Sequence, residues 1–95
     1  MIYQLVFAQE ARETFESIQA QIKDRWGLTV LAKFEQKTLK TLDNIAKSPF
    51  IFKRISENPN IRKGLINKNC SVFYEVKTDK IEILFFWDNR QEPIL

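Results

Sequence analysis

The sequence of 95 residues lacks histidine and contains only two glycines and one cysteine. Without histidine, a histidine zinc site is impossible, and acid–base catalysis would fall to Asp, Glu, Tyr, Lys or Arg. Gly27 and Gly64 cannot form a glycine-rich phosphate loop or a dinucleotide fingerprint. Cys70 stands alone, which excludes an internal disulfide and a cysteine-based zinc site, and its apolar neighbours predict a buried thiol. We therefore expect no cofactor and no metal.

Long apolar runs are also missing. The longest, Ile83–Trp87, falls far short of the roughly 20 residues that a membrane span needs. The amino terminus does not show the regions of a signal peptide, so we expect a cytoplasmic protein without a membrane partner. With 44% apolar and 28% charged residues, the sequence is typical of one globular domain, which we expect to span residues 1–95.

The positive charge is concentrated in one segment. The chain carries 15 Lys and Arg against 12 Asp and Glu, a formal charge of +3 and a pI near 9.1. Between Phe52 and Asn69, a single acid accompanies five basic residues: Lys53, Arg54, Arg62, Lys63 and Lys68. Such a cluster suits nucleic acid or an acidic partner. A solvated loop and a protected strand edge explain it equally well.

Hydrophobic periodicity predicts a strand and two helices in the first half of the chain. Ile2–Phe7 alternates as a strand, with Tyr3, Leu5 and Phe7 on one face. A helical stripe follows in Ala11, Phe15, Ile18, Ile22 and Trp26, and a second in Leu31, Phe34, Thr38, Leu42 and Ile45, widened by Leu39 and Ala46. Gly27 is expected to end the first helix, Thr29 to cap the second, and Ser48-Pro49 to end it. The short link makes the helices antiparallel and leaves a groove along the hairpin.

The second half of the chain predicts three strands after an irregular segment, Phe50–Asn60. The strands are Ile61–Ile66, Cys70–Val76 and Ile81–Trp87, with turns at Asn67–Asn69 and Thr78-Asp79. The last strand is apolar on both faces, with Ile81, Ile83, Phe85 and Trp87 expected on one and Leu84 and Phe86 on the other, which favours a central position. The tail Gln91–Leu95 is too short for an ordinary helix. We predict an α+β fold in the order β-α-α-β-β-β, an antiparallel helical hairpin on an antiparallel sheet.

This pattern resembles the ParE branch of the ParE/RelE toxin superfamily over nearly the whole chain. The resemblance is carried by Arg25-Trp26-Gly27, which is like the tryptophan–glycine turn between the helices of ParE toxins, and by Tyr74-Glu75-Val76, Ile81–Leu84 and Trp87–Pro93 in order. It implies a toxin of the plasmid stabilisation type, neutralised by a cognate antitoxin with which it can form a hetero-oligomer.

The superfamily divides by target. RelE-like members are ribosome-dependent messenger RNA nucleases with basic residues on the sheet, whereas ParE-like members poison DNA gyrase without turnover. On the nuclease pattern, Arg62 matches a catalytic lysine and Arg90 a basic position after the last strand, but Gly64 and Ser71 stand where basic residues are expected. The sequence also stops at Leu95, before a segment that would present a tyrosine. The resemblance therefore favours gyrase inhibition; the nuclease alternative would use Arg62, Lys63 and Arg90.

Two working surfaces follow from this resemblance. The target-binding residues are expected to be Lys53, Arg54, Arg62, Lys63, Trp87, Asp88 and Arg90, with Arg62 and Arg90 at one end of the sheet. The antitoxin-binding groove is expected to contain Phe15, Ile22, Phe34 and Leu42. Simpler roles remain open: Phe15, Trp26 and Phe34 as core, and Arg62 and Arg90 as partners of Glu75 or Asp88 in salt bridges. A non-toxic interaction module is a further alternative.

Overall fold

The computed structural model describes residues 2–55 and 57–91. Within these ranges the chain forms β1 (Gln4–Phe7), α1 (Gln9–Trp26), α2 (Leu28–Lys47), β2 (Ile61–Asn67), β3 (Cys70–Val76) and β4 (Lys80–Asp88). The predicted element order is confirmed, and the strand bounds differ by one or two residues. Most of the tail predicted to be non-helical, residues 92–95, lies outside the described residues.

A single residue, Gly27, joins the two helices. Its φ of 89° is in the left-handed region, and its N–H donates to the carbonyl of Lys23 at 3.0 Å, which ends α1 as predicted. The predicted cap at Thr29 is wrong. Because α2 begins at Leu28, Thr29 already lies inside the helix, and Gly27 occupies the cap position without a side-chain hydrogen bond. Ser48 ends α2, as the Ser48-Pro49 pair predicts.

The sheet has the strand order β1-β4-β3-β2 and is mixed. β2, β3 and β4 pair antiparallel as expected, but β1 pairs parallel to β4. Parallel strands cannot be joined by a tight turn. Here the helical hairpin, β2 and β3 lie between β1 and β4 along the chain, and β1 and β4 run in the same direction. The predicted α+β class and the central position of β4 are confirmed, and the sheet as a whole is not purely antiparallel.

A β-bulge in β4 changes which side chains face the helices. Phe73 pairs with Phe85 while Tyr74 pairs with Ile83, so Leu84 is an extra residue in the strand. One inserted residue exchanges the faces of everything beyond it. Ile81 and Ile83 therefore share the helix-facing side with Phe86, and the predicted grouping with Phe85 and Trp87 is wrong.

The core lies between the helices and the sheet, where Ile45, Val72, Tyr74, Ile81 and Ile83 are fully buried. Phe34 is buried, and Phe15 is partly buried against it with ring centroids 5.6 Å apart. Trp26, however, is 58% exposed, so the core role is wrong for this residue; Leu39, which widens the second stripe, is 67% exposed. Each lies at the edge of its helical stripe, where the sheet no longer covers it. Within the described residues, neither helix has the length and hydrophobicity required to span a bilayer.

Candidate functional surfaces

Arg62, at the start of β2, fastens the irregular segment that precedes the strand. Its Nη1 donates to the carbonyl of Phe52 at 2.7 Å and its Nε to that of Pro59 at 3.0 Å. The guanidinium also lies 4.7 Å from the centre of the Phe50 ring. The guanidinium N–H groups of Arg62 therefore donate to backbone carbonyls of the chain and not to the carboxylate of Glu75.

Two neighbours close the same end of the sheet. Tyr74 donates its hydroxyl to the buried carbonyl of Pro49 at 2.7 Å, and burial raises the Tyr74 pKa to about 12. Phe52 covers Gly64 so closely that a Cβ added there would stand 3.1 Å from the ring. No basic side chain fits at position 64 without displacing Phe52.

Arg90 lies just after β4 and pairs with Asp88. Its Nε and Nη2 donate to the two carboxylate oxygens at 3.0 and 2.8 Å. This hydrogen bonding holds the pKa of Asp88 below its usual range and raises that of Arg90. Of the two salt-bridge alternatives for Arg90, the structure contains the one with Asp88.

Arg62 and Arg90 do not lie at one end of the sheet as expected. Arg62 pairs with Tyr74, whereas Asp88 pairs with Cys70 at the other end of β3. Four residues of strand separate these positions, which is about 13 Å. Because β2 and β4 both run antiparallel to β3, the start of one and the end of the other fall at opposite ends.

The sheet face away from the helices holds an aromatic and basic cluster. Phe73 and Phe85 stack with centroids 4.6 Å apart, and Nζ of Lys63 lies 5.7 Å from the centre of the Phe73 ring. Lys53, Arg54 and Lys63 line a cavity of about 350 Å³. Sequence reasoning missed the stacked pair because the bulge moves Phe85 to this face; only the register could have revealed it.

Trp87 and Ser71 lie opposite each other on this face. Ser71 is fully buried and its Oγ accepts a hydrogen bond from Nδ2 of Asn89 at 2.9 Å. The indole nitrogen of Trp87 is buried and has no hydrogen-bond partner within the described residues. Position 71, where the nuclease pattern expects an arginine, is therefore occupied by a buried structural hydroxyl.

The four predicted groove residues divide between two cavities. Phe15 and Leu42 line one of about 550 Å³, together with the exposed Leu39; we call it the hairpin groove. Ile22 and Phe34 line another of about 310 Å³. This second one lies between the joined ends of the helices and the β2–β3 turn, and we call it the tip cavity. Phe34 and Leu42 are more than nine-tenths buried, so they form the floors of these cavities rather than their rims.

The fold, two helices joined at Gly27 and packed on a β1-β4-β3-β2 sheet, is also found in solved structures of toxin–antitoxin proteins. The chain shares it with a chain of the chromosomal ParDE TA system from P. aeruginosa, at 20% identity over 92% of this chain and 96% of that one, with a TM-score of 0.75. It is also similar to a chain of the E. coli DinJ-YafQ toxin-antitoxin complex, at 8% identity, 95% and 96% coverage and a TM-score of 0.65.

A third similar structure is the YoeB dimer from Staphylococcus aureus, with 15% identity over 90% of this chain and 94% of that one and a TM-score of 0.60. By sequence, no family model and no curated protein matches the chain. The structural comparisons therefore establish the fold that the resemblance implied.

Proposed function

We propose that the protein is the toxin of a type II toxin–antitoxin system, that it acts by binding DNA gyrase, and that a cognate antitoxin neutralises it. The shared fold with chains of toxin–antitoxin assemblies supports the general class. The choice of gyrase rests on one observation. Of the two arginines that a nuclease would use, Arg62 lies about 13 Å along the strands from Asp88, the ion-pair partner of Arg90, and both arginines are bonded within the chain.

Phosphodiester cleavage needs charge stabilisation and proton transfer at the same phosphate. Arg62 is committed to backbone carbonyls, Gly64 is covered by Phe52, and Ser71 is buried against Asn89. Arg62 and Gly64 also face the helix side of β2, whereas Ser71 faces the opposite side of the sheet. A protein that works by binding has no need for these groups to converge.

The binding surface would be the sheet face that carries Lys63 above the Phe73–Phe85 stack, extended by Lys53 and Arg54. The half-buried Phe85, stacked on the buried Phe73 and next to these cations, gives an apolar centre with a charged rim, which is the usual anatomy of a protein interface. Trp87 continues this surface along β4, whereas Asp88 and Arg90 line the tip cavity on the helix side of the sheet. The hairpin groove, with its exposed Leu39, would accept the antitoxin.

The experiment is a supercoiling assay with purified gyrase and relaxed plasmid. We expect the protein to suppress supercoiling, and expect Lys53→Glu/Arg54→Glu to weaken this by about tenfold or more because two cations become two anions. Lys40→Glu is the matched control, since Lys40 is exposed on α2 and outside this surface. Untouched supercoiling at high protein excess would overturn the gyrase proposal.

The antitoxin groove is tested separately by co-expression with the cognate antitoxin. Leu39 is 67% exposed, so Leu39→Asp should leave the fold intact and remove an apolar contact from the groove. We expect this variant to remain toxic and to escape neutralisation, whereas Lys40→Asp, at the next position, should stay neutralised. Full neutralisation of Leu39→Asp would exclude the groove as the antitoxin site.

Ribosome-dependent RNA cleavage is a second proposal, favoured by the same basic and aromatic face. Cations next to the half-buried ring of Phe85 also suit single-stranded RNA. In this case, induction should cut translating messages within codons, and Lys63→Ala should reduce the cuts. Intact transcripts during growth arrest would exclude it. A non-toxic interaction module is the remaining alternative, and harmless overexpression without antitoxin would favour it.

A further inference from the structure

The tip cavity combines an apolar interior with a basic rim. Its walls include Ile22, Phe34 and the exposed residues Trp26 and Val30, which are 58% and 42% exposed. Trp26 is the residue that the helical stripe predicted as core. Large apolar side chains of this kind, gathered around a concave site of about 310 Å³, suit one bulky apolar side chain from a partner.

The rim of the cavity is positively charged. Lys33 and Lys37 lie one turn apart on α2, and Arg90 faces them from the end of β4. The only carboxylate among the lining residues is Asp88, and Arg90 already neutralises it. Within the described residues, neither Lys33 nor Lys37 forms an ion pair. The cavity therefore carries an uncompensated positive potential.

We propose that the tip cavity is a docking site for an acidic protein segment that inserts one bulky apolar side chain. The walls favour a peptide anchor over a nucleic acid, because a base would be held best by open aromatic faces and a continuous line of cations. Here Ile18, Ile22 and Val30 are aliphatic, Phe34 is buried in the floor, Trp26 is the one exposed aromatic ring among the lining residues, and the two lysines lie on one side of the cavity. Carboxylates that flank the anchor would reach Lys33 and Lys37 while the anchor contacts Trp26 and Ile22.

The site goes beyond the proposed function. It lies apart from the Lys53–Arg54–Lys63 surface and from the hairpin groove, and it shares no lining residue with either. Its test uses the purified full-length protein without gyrase or antitoxin. Failure of one proposal therefore leaves the other standing.

The probe is a synthetic peptide with a central Phe-Leu pair between runs of Glu and Asp, carrying a fluorescent label. Binding is measured by polarisation and located by amide and indole chemical shifts. We expect the indole resonance of Trp26 to move while the amide resonance of Leu39, in the hairpin groove, does not. Lys33→Glu and Lys37→Glu should each weaken binding about fivefold, which is the effect of an exposed charge pair worth about 1 kcal/mol. Lys40→Glu is the control and should change binding less than twofold, about the scatter of distant surface charges.

Two control ligands distinguish an apolar anchor from charge alone, and a peptide from a nucleic acid. A peptide of the same charge with Ser-Ser in place of Phe-Leu should bind at least about tenfold more weakly, because it forfeits the buried anchor. Equal affinity for both peptides would overturn the anchored site. Tighter binding of a single-stranded oligonucleotide of equal charge would assign the cavity to nucleic acid instead. Shifts confined to the hairpin groove, or equal losses in all three lysine variants, would also overturn the proposal.

Discussion

The two ends of the β2–β3–β4 sheet differ in the groups to which their arginines donate hydrogen bonds. At the closed end, Arg62 and Tyr74 tie the segment from Pro49 to Pro59 onto the sheet through backbone carbonyls. At the open end, Asp88, two residues before Arg90, is the one side chain within residues 2–55 and 57–91 to which Arg90 donates, and the pair lies next to a solvent-accessible cavity. The arginine at one end therefore holds a backbone segment in place, whereas the arginine at the other end lies beside an accessible cavity.

The largest difference is expected from removing each arginine. Arg62→Ala should lower the free energy of unfolding by about 2 to 3 kcal/mol, because a half-buried carbonyl loses a charged donor and a loop loses its anchor. Arg62→Lys should recover less than half of this loss, since an ammonium cannot reproduce the fork. Urea unfolding followed by circular dichroism measures both.

Arg54→Ala is the matched control for this experiment. Arg54 is exposed, and its contact with Arg62 is a backbone bridge that a side-chain change leaves in place. It should change stability by less than about 0.5 kcal/mol. If Arg62→Ala proves as mild as Arg54→Ala, the closed end is not held by Arg62 and the arginine is available to a target.

Each end also contains one buried weak acid, and the two should respond to alkali at different pH. Burial raises the pKa of Cys70, at the open end, from 9.0 to about 12, and that of Tyr74, at the closed end, from 10.0 to about 12. In both cases the group ionises at a lower pH in the unfolded chain than in the folded one. Its contribution to stability is therefore fully present below the unfolded pKa and is lost as the pH rises towards 12. By pH 10 the Cys70 contribution should have fallen by about 1.4 kcal/mol.

Unfolding in urea at pH 8, 9, 10 and 11, under reducing conditions, separates the two groups. Cys70→Ala should flatten the decline between pH 8 and 10, whereas Tyr74→Phe should keep it and flatten the decline above pH 10. Tyr74→Phe should also cost about 1 kcal/mol at neutral pH, because the Pro49 carbonyl loses its donor. A decline that survives unchanged in Cys70→Ala would show that the thiol is not protected at the open end.

The sequence predicted the closed end less well than it predicted the fold. Periodicity located both helices, Gly27 and the three later strands, since these signals are local. The bulge at Leu84 is set by pairing across two strands, so Phe85 and Trp87 were assigned to the wrong face. The contacts of Arg62 depend on how an irregular segment folds back from Phe50 to Pro59, which no periodicity encodes.

The tip cavity was missed for a different reason. A helical stripe predicts which residues share a face, but the sheet ends before Trp26, so this member of the stripe stays exposed. Lys33 and Lys37, spaced four apart, were visible in the sequence as one face of α2. Their position opposite Arg90 depends on the packing of the hairpin tip against the β2–β3 turn, which is a tertiary relation.

The smallest effect is expected from Arg90→Ala, which should lower stability at pH 7 by less than about 1 kcal/mol, because its pair with Asp88 is local and partly exposed. Removing the donor should let the pKa of Asp88 rise towards its ordinary value. The lowered pKa of Asp88 contributes stability that is present above the ordinary Asp range and lost on acidification, so wild type and variant should converge as the pH falls through the folded pKa. Unfolding at pH 7 and pH 3 and an NMR titration of Asp88 measure this.

A loss of stability as large as that of Arg62→Ala would mean that Arg90 holds the open end together as Arg62 holds the closed end. A small loss would mean that the pair of Arg90 with Asp88 is not needed to hold the open end, which leaves Lys33 and Lys37 as the cations of the proposed tip cavity.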